Sequence, residues 1–193
     1  MPLAKEKERY TYQDYLTWPE GERWELIDGM AYDMSPAPDT EHQSIAGHLF
    51  LILGIALRGK PCVPLFSPID VVLSDLDVVQ PDMIVICDKS KITKRNIQGA
   101  PDLVIEVLSP STSLKDRREK KRLYEKSGVK EYILIDPEGK YAERFLLGED
   151  GLFGRGEIFG SQEILSLKSL AGIEIPLWEV FGEEKKDTSQ SMA

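Results

Sequence analysis

The sequence predicts an α/β or α+β domain built around a mixed sheet. Three observations carry the prediction. Val- and Ile-rich runs recur through the middle of the chain, at Ile69 to Leu73, Met83 to Cys87 and Leu103 to Leu108. An apolar stripe at helical spacing, Ile45, Leu49, Ile52, Leu53 and Ala56, precedes them. Hairpin signals stand on either side, as Asp28-Gly29 near the start and as Gly-punctuated segments after Pro137.

In chain order, Thr11 to Trp18 starts a short helix, with Tyr12, Tyr15 and Leu16 at helical spacing, and Pro19 to Glu22 ends it. Trp24 to Met34 alternates about Asp28-Gly29 and reads as a hairpin. Ser35 to Pro38 is a loop. Thr40 and Gln43 have capping-box spacing and open the stripe helix, which Gly59-Lys60-Pro61 closes. The runs at Met83 and Leu103 are nearly continuous in apolar character, as in central strands covered on both faces. A basic loop, Lys89 to Arg95, separates them. Leu114 to Ser127 is a charged helix stopped by Gly128. Tyr132 to Ile135 is a further strand, and Phe145 to Leu147, Leu152 to Phe159 and Ile173 to Phe181 are hairpin material.

At 193 residues the default is one domain, expected over 10–182, with flexible ends at 1–9 and 183–193. No membrane span is expected, because the apolar stretch from His48 to Leu57 is too short. The N-terminus has no signal-peptide pattern. Cys62 and Cys87 form neither a disulfide framework nor a zinc site, which fits a reducing, cytoplasmic setting. A net charge of −9 argues against coating duplex DNA by charge alone.

The chemistry concentrates between Gln80 and Lys121. Side chains alternate along a strand, so Leu103, Ile105 and Val107 share one face and Val104, Glu106 and Leu108 the other. Glu106 is therefore a carboxylate inside an apolar strand, and it needs a cation, a metal or a proton. A structural ion pair is the plain reading. Asp82, at the mouth of a neighbouring strand, opens another: two acids converging on a hard divalent cation such as Mg2+ or Mn2+. From Lys115 to Lys126 there are seven basic residues against three acidic. Asp116, Lys120 and Tyr124 are spaced i, i+4, i+8 on one helix face. Either this is a solvated helix with internal ion pairs, or Lys120 points back at the two acids and assists phosphate chemistry.

These residues carry a resemblance. Trp24-Glu-Leu-Ile-Asp-Gly29, Met34-Ser-Pro36, His42, Gln80-Pro-Asp82, Ala100-Pro-Asp-Leu-Val-Ile-Glu-Val-Leu-Ser-Pro-Ser-Thr112, Asp116 to Tyr124 and Gly128-Val-Lys-Glu-Tyr132 stand in order. Together they resemble the Uma-type restriction endonucleases, a bacterial family of the PD-(D/E)XK nuclease superfamily, from about Thr11 to Phe181. The resemblance implies a restriction-endonuclease-like αβββαβ core with a mixed central sheet and additional β-hairpins. It implies Asp82 and Glu106 as metal ligands for hydrolysis of DNA, and Lys120 as the assisting lysine. The usual motif places that lysine two residues after the second acid, where this chain has Leu108. Glu25, His42, Gln80 and Tyr124 are supporting candidates. Each has a plain structural reading as well: an ion pair, a cap, a strand end and a packing contact. A homodimer is expected from the commonness of symmetric pairs. The competing reading of function is a binding or assembly module that keeps the nuclease scaffold without activity.

Overall fold

In the computed structural model the described residues are 9–19, 21–34, 37–170 and 172–186. The chain opens with α1 (Tyr12–Tyr15), capped by a reciprocal Thr11–Asp14 box. β1 (Trp24–Ile27) and β2 (Met30–Asp33) follow as the expected hairpin. Its turn places Asp28 and Gly29 at φ 51° and 75°, the paired left-handed conformation that Asp-Gly tolerates best. Then come α2 (Thr40–Ala56), β3 (Val63–Phe66), β4 (Val71–Ser74), β5 (Asp77–Val79), β6 (Met83–Ile86), β7 (Ile97–Gln98) and β8 (Leu103–Val107). A helical stretch follows as α3 (Ser113–Lys115), a π-helical segment (Asp116–Lys120) and α4 (Lys121–Ser127), closed by Gly128 at φ 83°. The remainder is β9 (Glu131–Asp136), β10 (Tyr141–Leu146), β11 (Glu157–Gly160), β12 (Ile164–Ser166), β13 (Glu174–Pro176) and α5 (Leu177–Val180).

The main sheet has the order β11-β10-β9-β8-β6-β3, with β8 and β9 parallel and the other neighbours antiparallel. Reading α2, β3, β6, β8, the α3–α4 stretch and β9 in sequence recovers the αβββαβ core. β8 is buried along its whole length. Leu103, Ile105 and Val107 pack with Ile45, Leu49 and Leu53 of α2. Val104 and Leu108 pack on the other side with Leu123, Tyr124 and Phe153. A second sheet, β2-β1-β5-β4-β7, carries the hairpin, and β12 and β13 pair separately.

Several expectations change. The run at Ile69 to Leu73 contributes β4 to the second sheet, and short strands β3, β5 and β7 appear where no alternation marked them. The cap of α2 is Asp39, whose carboxylate accepts from the His42 amide, one residue before the predicted Thr40. Cys62 and Cys87 are disulfide-bonded. The β3–β6 register, Val63 opposite Ile86, puts them across from each other, a pairing that a spacing of 25 residues does not reveal. Ser35, Pro36 and most of the expected flexible ends lie outside the described residues. Glu183, assigned to the tail, accepts hydrogen bonds from Lys140, Ser161 and Gln162. Among the described residues no helix is long and apolar enough to cross a membrane.

Candidate active site

Strand pairing creates the site. Met83 is opposite Ile105 in the antiparallel β6–β8 ladder, so Asp82, one step back, comes opposite Glu106. The two residues interlock: the Asp82 amide donates to Glu106 Oε2 at 3.3 Å, and the Val107 amide donates to Asp82 Oδ2 at 2.9 Å. His42 Nε2 lies 3.0 Å from the same Oδ2, brought there by the first turn of α2. No hydrogen bond from a described residue reaches Asp82 Oδ1.

Glu106 Oε1 accepts from Lys120 Nζ at 2.9 Å and from the Tyr124 hydroxyl at 2.7 Å. Lys120 also reaches Glu25 Oε1 at 2.8 Å and stands 3.6 Å from Asp116 Oδ1. Lys115 donates to the other oxygen of Glu25 at 2.8 Å. Lysines five apart lie well off one face of an α-helix, but the π segment between them brings both ammoniums onto one carboxylate. Glu25 is fully buried in β1, and its Oε1 also accepts the Gln80 amide at 3.0 Å. The Gln80 side chain bonds Arg23 and Asp70 instead.

Of the sequence candidates, Asp82, Glu106, Lys120, Tyr124 and His42 thus converge. Glu25 binds ammoniums, and Gln80 touches the cluster through its backbone. Tyr124 holds Glu106 directly and not through the lysine. Lys115 and Asp116 belong to the cluster as well. Lys115 escaped sequence reading because a π turn carries no residue signature. Asp116 stood in the quoted motif on the face of Lys120. The basic loop at Lys89 to Arg95 leaves β6 at the end opposite Asp82.

The electrostatics follow from burial. Burial pushes Glu106 up, Lys120 pulls it back, and the charges of Asp82, Asp116 and Glu25 push again, leaving it at about 8. Burial likewise raises Asp116 against the pull of Lys120. For Glu25 burial is outweighed by Lys120 and Lys115, and the carboxyl is held below its usual range. Lys120 is held well above the usual lysine value, because Glu106, Glu25 and Asp116 overcome its desolvation. Three carboxyl groups, Glu25, Glu106 and Asp116, therefore share two ammoniums, and Asp82 pairs with His42 instead. Asp82 keeps 18% of its side chain exposed, while Lys120 keeps 4%. The exposed acid opens into a cleft of about 740 Å³ whose walls include Arg23, His42, Lys115 and Arg118. Two carboxyl groups side by side at an open cleft supply the hard oxygen donors that a divalent cation of the magnesium type takes.

Comparison with known proteins agrees with this architecture. The family model described as "Uma2: Putative restriction endonuclease" matches residues 12–177. An uncharacterised protein of Synechocystis, slr1290, is 29% identical over 143 residues, spanning 72% of this chain and 75% of that protein. The fold is similar to a crystal structure from Anabaena variabilis described as a putative nuclease belonging to DUF820. The TM-score is 0.74 at 20% identity, over 89% of this chain and 97% of that one. The match over most of the length, on a fold that assembles its acids and lysine at one cleft, places this chain in the Uma2 family of restriction-endonuclease-like proteins.

Proposed function

We propose that the protein is a metal-dependent endonuclease that hydrolyses DNA phosphodiester bonds, with Asp82 and Glu106 holding Mg2+ or Mn2+ and Lys120 assisting. The observation that carries this is the direct opposition of Asp82 and Glu106 at the cleft, with the Lys120 ammonium 2.9 Å from Glu106. When bound, the ion lowers the pKa of a water and offsets charge on the phosphate in the transition state.

The chain's own residues supply the rest. Lys120 and Tyr124 fix one oxygen of Glu106 and leave the other to a single 3.3 Å amide contact. His42 and the Val107 amide fix one oxygen of Asp82 in the same way. The longest of the Lys120 contacts, 3.6 Å to Asp116, is the one it can give up to donate to a phosphate oxygen. Leu108 stands where the usual motif has lysine, and it is buried among Leu123, Tyr124 and Phe153. Lys120 delivers its ammonium to Glu106 from the helix instead. The Cys62–Cys87 disulfide removes the cysteine argument for a reducing compartment, so only the DNA substrate ties this reading to the cytoplasm.

The test is calorimetric titration of Mg2+ and Mn2+ into wild type and Glu106→Gln, followed by cleavage assays on circular, linear and single-stranded DNA. Binding and metal-dependent cutting in wild type, both lost in Glu106→Gln, are expected. Absence of metal binding by the wild type, even with DNA present, would overturn the proposal and leave a nuclease-fold binding module.

A further inference from the structure

Beyond its first turn, helix α2 is uncharged and mostly apolar. No Asp, Glu, Lys or Arg occurs from Gln43 to Leu57. Its inner face, Ile45, Leu49 and Leu53, packs into the core. Its outer face faces solvent, with Leu51 60% and Ile55 59% exposed. A helix on a domain surface ordinarily turns charged residues outward, so an uncharged stretch with large apolar side chains on its uncovered face is a docking candidate. Phe50 extends the patch to Phe66 on edge strand β3, their rings 4.6 Å apart and Phe66 54% exposed. Pro64 in β3 has no N–H, which disfavours adding a strand at that edge and leaves the helix face as the docking element.

The shape of the face specifies the occupant. Ser44, Gly47, Leu51, Ile55 and Arg58 form one exposed stripe. A Cβ added at Gly47 or Gly54 would meet no described atom within 4 Å, so both glycines are notches open to the outside. Suppose a second α2 lies antiparallel across a two-fold axis at Leu51. Ile55 of each copy then seats over Gly47 of the other, Leu51 meets Leu51, and Arg58 comes opposite Ser44. Large side chains face notches on both sides, as an isologous contact requires. Charge agrees: the N-terminal end carries Asp39 and Glu41, the C-terminal end Arg58 and Lys60, all exposed. Antiparallel pairing sets acid against base and opposes the helix dipoles, while parallel pairing sets like against like.

We propose that this face of α2 is the interface of a homodimer, two helices crossing antiparallel at Leu51. The inference does not depend on the nuclease reading, since it is tested by mass. The experiment is sedimentation equilibrium of the full chain over a wide concentration range, with Gly47→Leu and Ile55→Glu, each checked by circular dichroism melting. Gly47→Leu fills open space in the monomer and replaces a poor helix former, so its fold holds or gains stability. In the dimer it occupies the seat of the partner's Ile55. The expected result is a concentration-dependent dimer in wild type and a dissociation constant raised about tenfold or more in both variants. Glu41→Lys is expected to weaken the dimer and Glu41→Lys with Arg58→Glu to restore it. A wild type that stays monomeric overturns the proposal, as does a dimer indifferent to these substitutions. A monomer that instead floats with lipid vesicles through Leu51 and Ile55 overturns it in favour of a membrane surface.

Discussion

Glu25 shows how a single buried carboxylate can organise a site it does not open into. Both of its oxygens bind ammoniums, from Lys115 and Lys120, and it is fully buried. Glu25→Gln takes the carboxylate from Lys115 and one of the three around Lys120, and breaking a buried pair costs about 3–5 kcal/mol. The loss is expected as a lower urea midpoint at unchanged slope. The same residue governs an acid limb. Its folded-state carboxyl is held below the ordinary glutamate value, so its contribution is complete above that ordinary value and fades as pH falls through the folded one. Stability measured against pH should drop on acidification in wild type, with that part of the drop missing in Glu25→Gln. Tyr124 acts on a smaller scale. Its hydroxyl donates to Glu106 Oε1, which Lys120 still serves when the hydroxyl is gone. Tyr124→Phe is therefore expected to cost about 0.5–1.5 kcal/mol, the range for a hydrogen bond to an uncharged group, in the same urea assay.

At the scale of elements, the π segment from Asp116 to Lys120 is the device that lets one helix serve two strands. Across it Lys115 and Lys120 reach β1 through Glu25, and Lys120 with Tyr124 reaches β8 through Glu106. A regular helix would turn Lys115 away. Deleting one residue at Glu119 should convert the segment to regular α-helix with the two lysines i, i+4 on one face, so both keep Glu25 and the thermal melting temperature should hold. The Cys62–Cys87 bridge ties edge strand β3 to β6, whose other end leads into Asp82. It closes a loop of 25 residues, for which chain-entropy arguments give about 3.5 kcal/mol. Cys62→Ser, or reductant added to wild type, should lower the denaturation midpoint accordingly.

For the molecule as a whole, the net charge of −9 and the four carboxyl groups of the cluster set the terms for a polyanionic partner. Without a divalent ion, long-range repulsion dominates the approach of duplex DNA. Binding measured by fluorescence anisotropy should be weak in chelator and strengthen with Mg2+ or Mn2+. It should also weaken as monovalent salt rises, with a shallow slope because few lysines and arginines reach the cleft. Arg118, exposed at the cleft wall, is the cation available for such a contact. Arg118→Ala should reduce affinity without altering the melting temperature.

The sequence by itself determined the elements whose signals are local. Alternation in β8 placed Glu106 on the face opposite Ile105, the stripe in α2 defined its buried side, and Asp28-Gly29 marked the first turn, because side-chain periodicity and backbone sterics act within a few residues. The acids and Lys120 were legible as candidates because a carboxylate inside an apolar strand has to be compensated. Tertiary structure alone decided which groups meet. Strand register set Asp82 against Glu106 and Cys62 against Cys87, the π turn recruited Lys115, and burial beside two lysines turned Glu25 from a possible metal neighbour into the anchor of Lys115 and Lys120. Short strands such as β5 and β7 also waited on the fold, since two or three residues carry no period and take their conformation from the ladder they join.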